Sequence, residues 1–146
     1  DAKASEDRQQ RGRLLGALGA FTDAKLVAQA MAISITDEFE LREALALLQG
    51  GFSDRHTREQ AHDFIVKNFD VISAKLPEPF RQYMAFSFVP LCDDTRKAEF
   101  EKFYKGKLDK VDGGPKAVAQ ALEAMSLCAA AKKAQTPGVI AFLKRQ

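Results

Sequence analysis

Apolar residues recur along this chain with the three- and four-residue spacing of an α-helix, and no long segment alternates as a half-buried strand does. The apolar stripes lie in residues 14–21, 26–33, 41–52, 61–76, 80–91, 100–104, 118–129 and 139–143. Each stripe has one face that must be covered by a neighbour. The pattern therefore predicts an all-α protein of about eight helices without strands.

Short polar, glycine or proline links separate the stripes. Thr57 and Gln60 have the spacing of a capping box at the start of one helix. Thr136-Pro137-Gly138 predicts a break before a short terminal helix, since proline interrupts a helix interior. We interpret Gly16 as a point of close helix packing and Gly19 as a helix C-cap. Acidic caps are predicted at Thr22-Asp23, Thr36-Asp37 and Cys92-Asp93-Asp94-Thr95.

Links of roughly two to six residues make successive helices antiparallel neighbours. Two architectures satisfy this rule, a compact bundle and a curved stack of helix pairs. No clean fixed-period repeat is present, but a helix, an acidic cap and a second helix recur around Asp23 and again around Asp93. Loosely similar pairs of this kind are typical of an irregular solenoid.

Size and charge narrow the functional classes. The 146 residues suit one helical domain spanning residues 1–146, with residues 1–7 disordered or acting as a linker. Lys and Arg number 22 against 20 Asp and Glu, and they are scattered, so no nucleic-acid partner is expected. No apolar run reaches the roughly 18 residues of a membrane span. The sequence starts without Met or a signal core, so we expect a soluble piece of a larger protein whose compartment, cytoplasmic or exported, depends on the missing N-terminus.

The chain has few residues that could do chemistry. Cys92 and Cys128 form no metal motif, and we favour buried free thiols. A disulfide between them is the alternative and would imply an oxidising compartment. His56 and His62 are expected on the surface, facing different directions, and neither belongs to an H-E-x-x-H motif. We therefore predict no catalytic residue, no metal ligand and no cofactor in this chain.

Three motifs nevertheless follow one another in a recognisable order. Residues 13–19 read Arg-Leu-Leu-Gly-Ala-Leu-Gly, and residues 57–69, after a Gly-Gly pair, read Thr-Arg-Glu-Gln-Ala-His-Asp-Phe-Ile-Val-Lys-Asn-Phe. Residues 117–125 read Ala-Val-Ala-Gln-Ala-Leu-Glu-Ala-Met. This order resembles the C-terminal domain of zinc aminopeptidases of the aminopeptidase N and puromycin-sensitive type, from about residue 8 to residue 142. His62 and Phe69 stand where the family has tryptophan, and Thr57 where it has glycine, which suggests a divergent, bacterial member.

The resemblance implies an irregular α-α superhelix of antiparallel helix pairs, HEAT- or armadillo-like, at the C-terminal end of a multidomain aminopeptidase. It implies a non-catalytic domain that encloses the active-site chamber and shapes the access of peptide N-termini. The implied partners are the catalytic domain of the same polypeptide, which holds the zinc, and through it the peptide substrate. Arg42, Arg58 and Asn68 occupy matching helix positions and are candidates to face the peptide or to support that face. Helix capping or bridging between helices is their structural alternative.

A second functional class stays open on the sequence alone. An independent α-helical scaffold or adaptor would bind a protein partner on a concave face and would need the same helix stack. A free-standing enzyme is disfavoured because no acid, base, nucleophile or metal set converges. If the chain is part of a larger enzyme, an apolar interface should be exposed on it. The residues predicted for that interface are Phe39, Leu47, Phe86 and Leu127.

Overall fold

The computed structural model describes residues 2–145, and every regular element among them is helical. This confirms the all-α prediction. The helices are α1 (Arg8–Gly19), α2 (Ala24–Ser34), α3 (Leu41–Ser53), α4 (Arg58–Lys67), α5 (Phe69–Lys75), α6 (Glu78–Arg81), a 3₁₀ helix (Gln82–Phe88), α7 (Asp94–Tyr104) and α8 (Gly114–Leu143). They fall into two compact units, residues 1–77 and 78–146. The assignment of residues 1–146 to a single domain stays a prediction.

The first unit is a stack of helix pairs. Arg11 binds Glu43 near the starts of α1 and α3, and the two helices touch again at their ends, so they run in parallel. Between them in sequence, α2 runs the opposite way, because Val27, near its start, lies close to Gly51 near the end of α3. Gln60, near the start of α4, donates to the Ala24 carbonyl at the start of α2 (2.9 Å). Within this unit α1 and α3 form one layer and α2 and α4 the other, as antiparallel pairing predicts.

The core of the first unit joins three helices. Leu15, Ala30, Ala44 and Leu47 form a buried cluster, against which Phe39 and other half-buried apolar residues pack. Ala2 also contacts this cluster. The assignment of residues 1–7 to a linker or disordered segment stays a prediction, and Asp1 lies outside the described residues.

Two of the predicted acidic caps are confirmed. Asp23 accepts from the Lys25 and Leu26 amides at 2.9 and 3.0 Å, and Asp93 accepts from the Arg96 amide at 2.9 Å. Both caps use a carboxylate to satisfy free amides in the first turn of a helix.

The cap at Thr36-Asp37 and the capping box are wrong. Helix α3 begins at Leu41 after Glu40, and Asp37 instead accepts a 2.6 Å hydrogen bond from Lys75. Thr57 is fully buried and donates to the Gly51 carbonyl at 2.9 Å, so its hydroxyl ties α4 to the end of α3 rather than capping α4. Local spacing cannot reveal such long-range partners.

Aromatic rings fill the second unit. Phe88 meets Phe100 and Tyr104 edge-on, with centroids 5.2 and 5.6 Å apart, so the 3₁₀ helix and α7 share one core. The Tyr104 hydroxyl donates to the Met84 carbonyl at 2.5 Å. Edge-to-face pairs of this kind stabilise a core beyond the area that they bury.

A disulfide joins Cys92, just before α7, to Cys128 in α8, with the two Cα atoms 5.4 Å apart. Our preference for free thiols is therefore wrong, and the disulfide alternative holds. Sequence alone left the pairing open because the cysteines are 36 residues apart and only the fold brings them together.

Helix α8 is longer than predicted. It continues through Pro137 to Leu143, so the break at Thr136-Pro137-Gly138 and the separate terminal helix are wrong. Proline removes the backbone donor that would bond to the Lys133 carbonyl. The Thr136 hydroxyl donates to the neighbouring Lys132 carbonyl. Residues 130–145 are exposed on every side. None of the helices among residues 2–145 is long and apolar enough to span a membrane.

Candidate functional site

The three candidate residues lie on different parts of the first unit. Arg42 is exposed in the first turn of α3, and Arg58 is the first residue of α4. Asn68 forms the junction between α4 and α5. Arg58 and Asn68 lie at opposite ends of α4, roughly 15 Å apart along its axis. The backbone therefore does not bring all three to one point.

Arg42 borders an open hollow at the start of α3. Phe39 forms an apolar part of its wall, and Asp37 and Lys75 form a charged part. Lys75 donates to Asp37 and also to the Thr36 carbonyl, at 2.6 and 2.8 Å. These bonds hold the α2–α3 link in place and lower the pKa of the Asp37 carboxyl, chiefly through the hydrogen bond from Lys75. The hollow combines a guanidinium, a carboxylate and an aromatic ring on an ordered link.

Asn68 has a structural role in the helix junction. Its side-chain amide donates to the Phe64 carbonyl at 2.8 Å, and its backbone amide donates to the same oxygen. One residue thus satisfies the last turn of α4 and starts α5. Of the alternatives raised from the sequence, helix capping is the one that the contacts of Asn68 support.

Arg58 is anchored where α3 passes into α4. Its side chain is half-buried, with the Nε atom fully buried, and it follows the buried Thr57 directly. Burial of the Nε atom holds the inner part of this side chain against the protein. Arg58 therefore fits a supporting role better than a freely exposed contact.

A second charged hollow near the α3 start is lined by Arg8, Arg11 and Glu43 among others. Arg11 donates twice to Glu43, at 2.7 and 3.1 Å, and Arg8 lies 3.5 Å from the same carboxylate. The hydrogen bonding from Arg11 to Glu43 lowers the pKa of Glu43 and raises the pKa of Arg11. The bidentate geometry indicates a brace between α1 and α3.

The two histidines behave differently. His56 is exposed, as predicted, but the surface position predicted for His62 is wrong, because its ring is buried beside Asp63. Phe69 is buried as well. These two residues replace the tryptophans of the resembling motif, so the aromatic positions of that motif were the signal that His62 belongs inside. Among residues 2–145 no group of three or more potential metal ligands comes together.

The predicted apolar interface is only partly exposed. The prediction that Leu47 is exposed is wrong, because Leu47 lies in the core of the first unit. Phe39 packs against that core. Leu127 is 66% exposed. Phe86 is half-buried in the second unit, where it forms part of a row of aromatic rings.

The aromatic row consists of Phe80, Tyr83 and Phe86. Consecutive ring centroids lie 6.3 and 6.4 Å apart, and Phe80 and Tyr83 are 45% and 57% exposed. Tyr83 and Phe86 are three residues apart in the 3₁₀ helix, where side chains at that spacing are aligned. Phe80, in the preceding α6, extends the row. The three-residue spacing of the aromatics was the available signal. Sequence reasoning selected Phe86 for an exposed interface but missed its alignment with Phe80 and Tyr83.

Comparison with known proteins identifies the fold family. Residues 2–127 match the family model described as the ERAP1-like C-terminal domain. The matched span covers both charged hollows, all three candidate residues and the disulfide's first cysteine. A search of curated proteins finds no match. The family match confirms the resemblance deduced from the ordered motifs.

Proposed function

We propose, from the premise that the chain belongs to the ERAP1-like C-terminal domain family, that it is the non-catalytic C-terminal domain of a zinc aminopeptidase. In this role it encloses the active-site chamber and selects which peptide N-termini enter. The family match over residues 2–127 is the observation that carries the proposal.

The helix stack of the first unit suits a chamber wall. Its two layers, α1 with α3 and α2 with α4, are braced by the Arg11–Glu43 pair and by the bond from Gln60 to Ala24. Stacked helix pairs offer extended surfaces on which loops and helix ends meet a ligand. A braced wall limits access by its shape and requires no reactive group of its own.

The candidate residues take separate roles in this proposal. Arg42 is the peptide-facing residue, since its exposed guanidinium can pair with a peptide carboxylate. Asn68 and Arg58 are positioning residues, because Asn68 joins α4 to α5 and Arg58 is anchored at the α3–α4 junction. Phe39 offers an apolar contact beside Arg42.

Zinc and the catalytic residues belong, in this proposal, to an upstream domain of the same polypeptide. That domain is the partner of this chain, and peptide is the shared ligand. The Cys92–Cys128 disulfide favours an exported protein, because disulfides persist in oxidising compartments.

Binding to the upstream domain tests the proposal. The zinc domain encoded in the same reading frame is produced separately and titrated with this chain in a calorimeter. We expect a one-to-one complex, with zinc and aminopeptidase activity confined to the upstream domain. Failure to bind, or a reading frame without a zinc peptidase motif, would favour an independent adaptor.

A pair of arginine variants tests the role of Arg42. Arg42→Ala should raise KM for long peptides in the complex and leave the cleavage of a single aminoacyl amide unchanged. Arg13→Ala removes an equally exposed arginine from α1 and serves as the matched control. Equal effects of the two variants would remove Arg42 from the peptide site.

A further inference from the structure

The distal part of α8, residues 130–145, combines exposed apolar side chains with basic charge. Four large apolar residues lie within two turns and are each about half exposed or more: Val139 54%, Ile140 47%, Phe142 54% and Leu143 63%. Leu143 lies three residues after Ile140 and four after Val139, so the three side chains share one face of the helix, and Phe142 lies at its edge. An exposed apolar cluster of this kind usually marks a surface that binds a protein, a ligand or a membrane.

The charge of this segment has one sign. After Glu123 the sequence contains no acidic residue up to its end, whereas Lys132, Lys133, Lys144 and Arg145 are all cationic. The cations flank the apolar cluster on both sides along roughly 20 Å of helix. The proximal pair has some compensation, because Asp93 and Asp94 share a hollow with Lys132 and Lys133. The distal pair, Lys144 and Arg145, directly follows the apolar cluster.

The base of the segment is fixed. The disulfide at Cys128 ties α8 to the link before α7, and Lys132 donates to the Cys92 carbonyl at 3.5 Å. The family match ends at residue 127, one residue before this anchor. The distal part of α8 therefore lies outside the matched region. It is fixed at its start by the disulfide and is exposed along the rest of its length.

We propose that the distal part of α8 docks on an anionic lipid surface. The apolar cluster enters the boundary between headgroups and acyl chains, while the lysines and the arginine remain among the anionic headgroups. A lipid surface supplies negative charge and an apolar layer together and needs no shaped groove. A second copy of this chain fits less well, because two such segments would bring like charges together. The helix lies on the membrane and does not cross it.

Vesicle sedimentation with the full chain tests this docking. The probe vesicles are phosphatidylcholine containing one quarter phosphatidylglycerol, with pure phosphatidylcholine for comparison. We expect binding to the anionic vesicles and much weaker binding to the neutral ones. Lys144→Gln with Arg145→Gln should weaken anionic binding roughly fivefold for each charge removed. Phe142→Ser with Leu143→Ser should weaken it by about tenfold or more.

The control removes the same charge elsewhere in the second unit. Lys105→Gln with Lys110→Gln replaces two exposed lysines outside α8 and should leave binding unchanged. All the replaced side chains are exposed, so circular dichroism should show the same helicity in every variant. Absence of binding to anionic vesicles, equal binding to neutral vesicles, or an equal loss in the control pair would overturn the proposal. If the wild-type chain forms a dimer and the Phe142→Ser, Leu143→Ser variant is a monomer, the apolar face binds a second copy of the chain instead. None of these outcomes depends on the upstream zinc domain.

Discussion

Gly19 and Gly50 touch through their backbones where α1 and α3 end. A β-carbon on Gly50 would overlap the carbonyl group of Gly19, and one on Gly19 would overlap the Ala46 carbonyl. Neither glycine has a positive φ. Glycine is therefore required at these positions because there is no space for a side chain, and not because the backbone conformation is unusual. This contact sets the distance between the two helices of one layer in the first unit.

We predict that Gly50→Ala destabilises the protein by roughly 3 kcal/mol, because rigid backbone atoms must separate to admit the methyl group. Gly12→Ala is the matched control. Gly12 is an exposed position of α1 with no neighbour near its would-be β-carbon, and alanine there should add up to about 1 kcal/mol of stability. Urea unfolding of both variants measures the difference, and a neutral Gly50→Ala would contradict the close packing.

The positions of the helices were predicted from the sequence more accurately than the contacts between them. Apolar periodicity predicts helices and their antiparallel order, and Asp23 and Asp93 act as predicted because a cap depends only on its own next turn. Close packing falls at Gly19 and not at Gly16, whose would-be β-carbon meets open space. Which glycine faces a neighbouring helix depends on how the helices are placed, and spacing along the chain does not contain that information.

The candidate site, too, could be predicted from the sequence only in part. Arg42 could be expected to be exposed, as the first turn of a helix usually is, and Asn68 at a helix junction suits its capping role. The Arg11–Glu43 pair was not predictable, since it joins residues 32 apart through the parallel alignment of α1 and α3. His62 was misplaced because histidine is usually polar and exposed, whereas here its ring fills an interior aromatic position.

The ion pair between Arg11 and Glu43 should make stability depend on pH. The pKa of Glu43 is lowered in the folded protein, so its contribution is complete above its unfolded pKa, near 4.3, and is lost as the pH falls below that value. We predict that Arg11→Gln destabilises the protein at neutral pH and that the difference from wild type shrinks below about pH 4. Arg8→Gln removes a more distant and mostly exposed partner and should have little effect. A difference that does not change with pH would reject the brace.

The buried hydroxyl of Tyr104 gives a second pH-dependent test. Burial raises the pKa of Tyr104 well above the usual value near 10. Folding stability should therefore fall as the pH rises through about 10, where only the unfolded chain ionises at this position. The chain has two tyrosines, so the Tyr83→Phe variant leaves Tyr104 alone for absorbance titration. Phenolate absorbance should appear together with unfolding, and its appearance in the folded protein near pH 10 would contradict the burial.

The disulfide should contribute strongly to the stability of the second unit. It closes a loop across a 36-residue separation, which corresponds to roughly 4 kcal/mol in the loop-entropy account. We predict that Cys92→Ser with Cys128→Ser lowers the free energy of unfolding by about that amount, and that a reducing agent has the same effect on the wild type. Thiol titration should find no free thiol in the unreduced, denatured chain. A result of two free thiols would contradict the disulfide and support the interpretation of Cys92 and Cys128 as free thiols.

Enclosure of an active site is the central claim, and cleavage of a matched pair of substrates tests it most directly. The upstream zinc domain is assayed with and without this chain on a folded protein and on a free peptide that share one N-terminal sequence. Without the chain, the open site should release the first residue from both substrates. With the chain bound, we predict continued cleavage of the free peptide and loss of cleavage of the folded protein. Cleavage of both substrates at unchanged rates in the saturated complex would contradict the account.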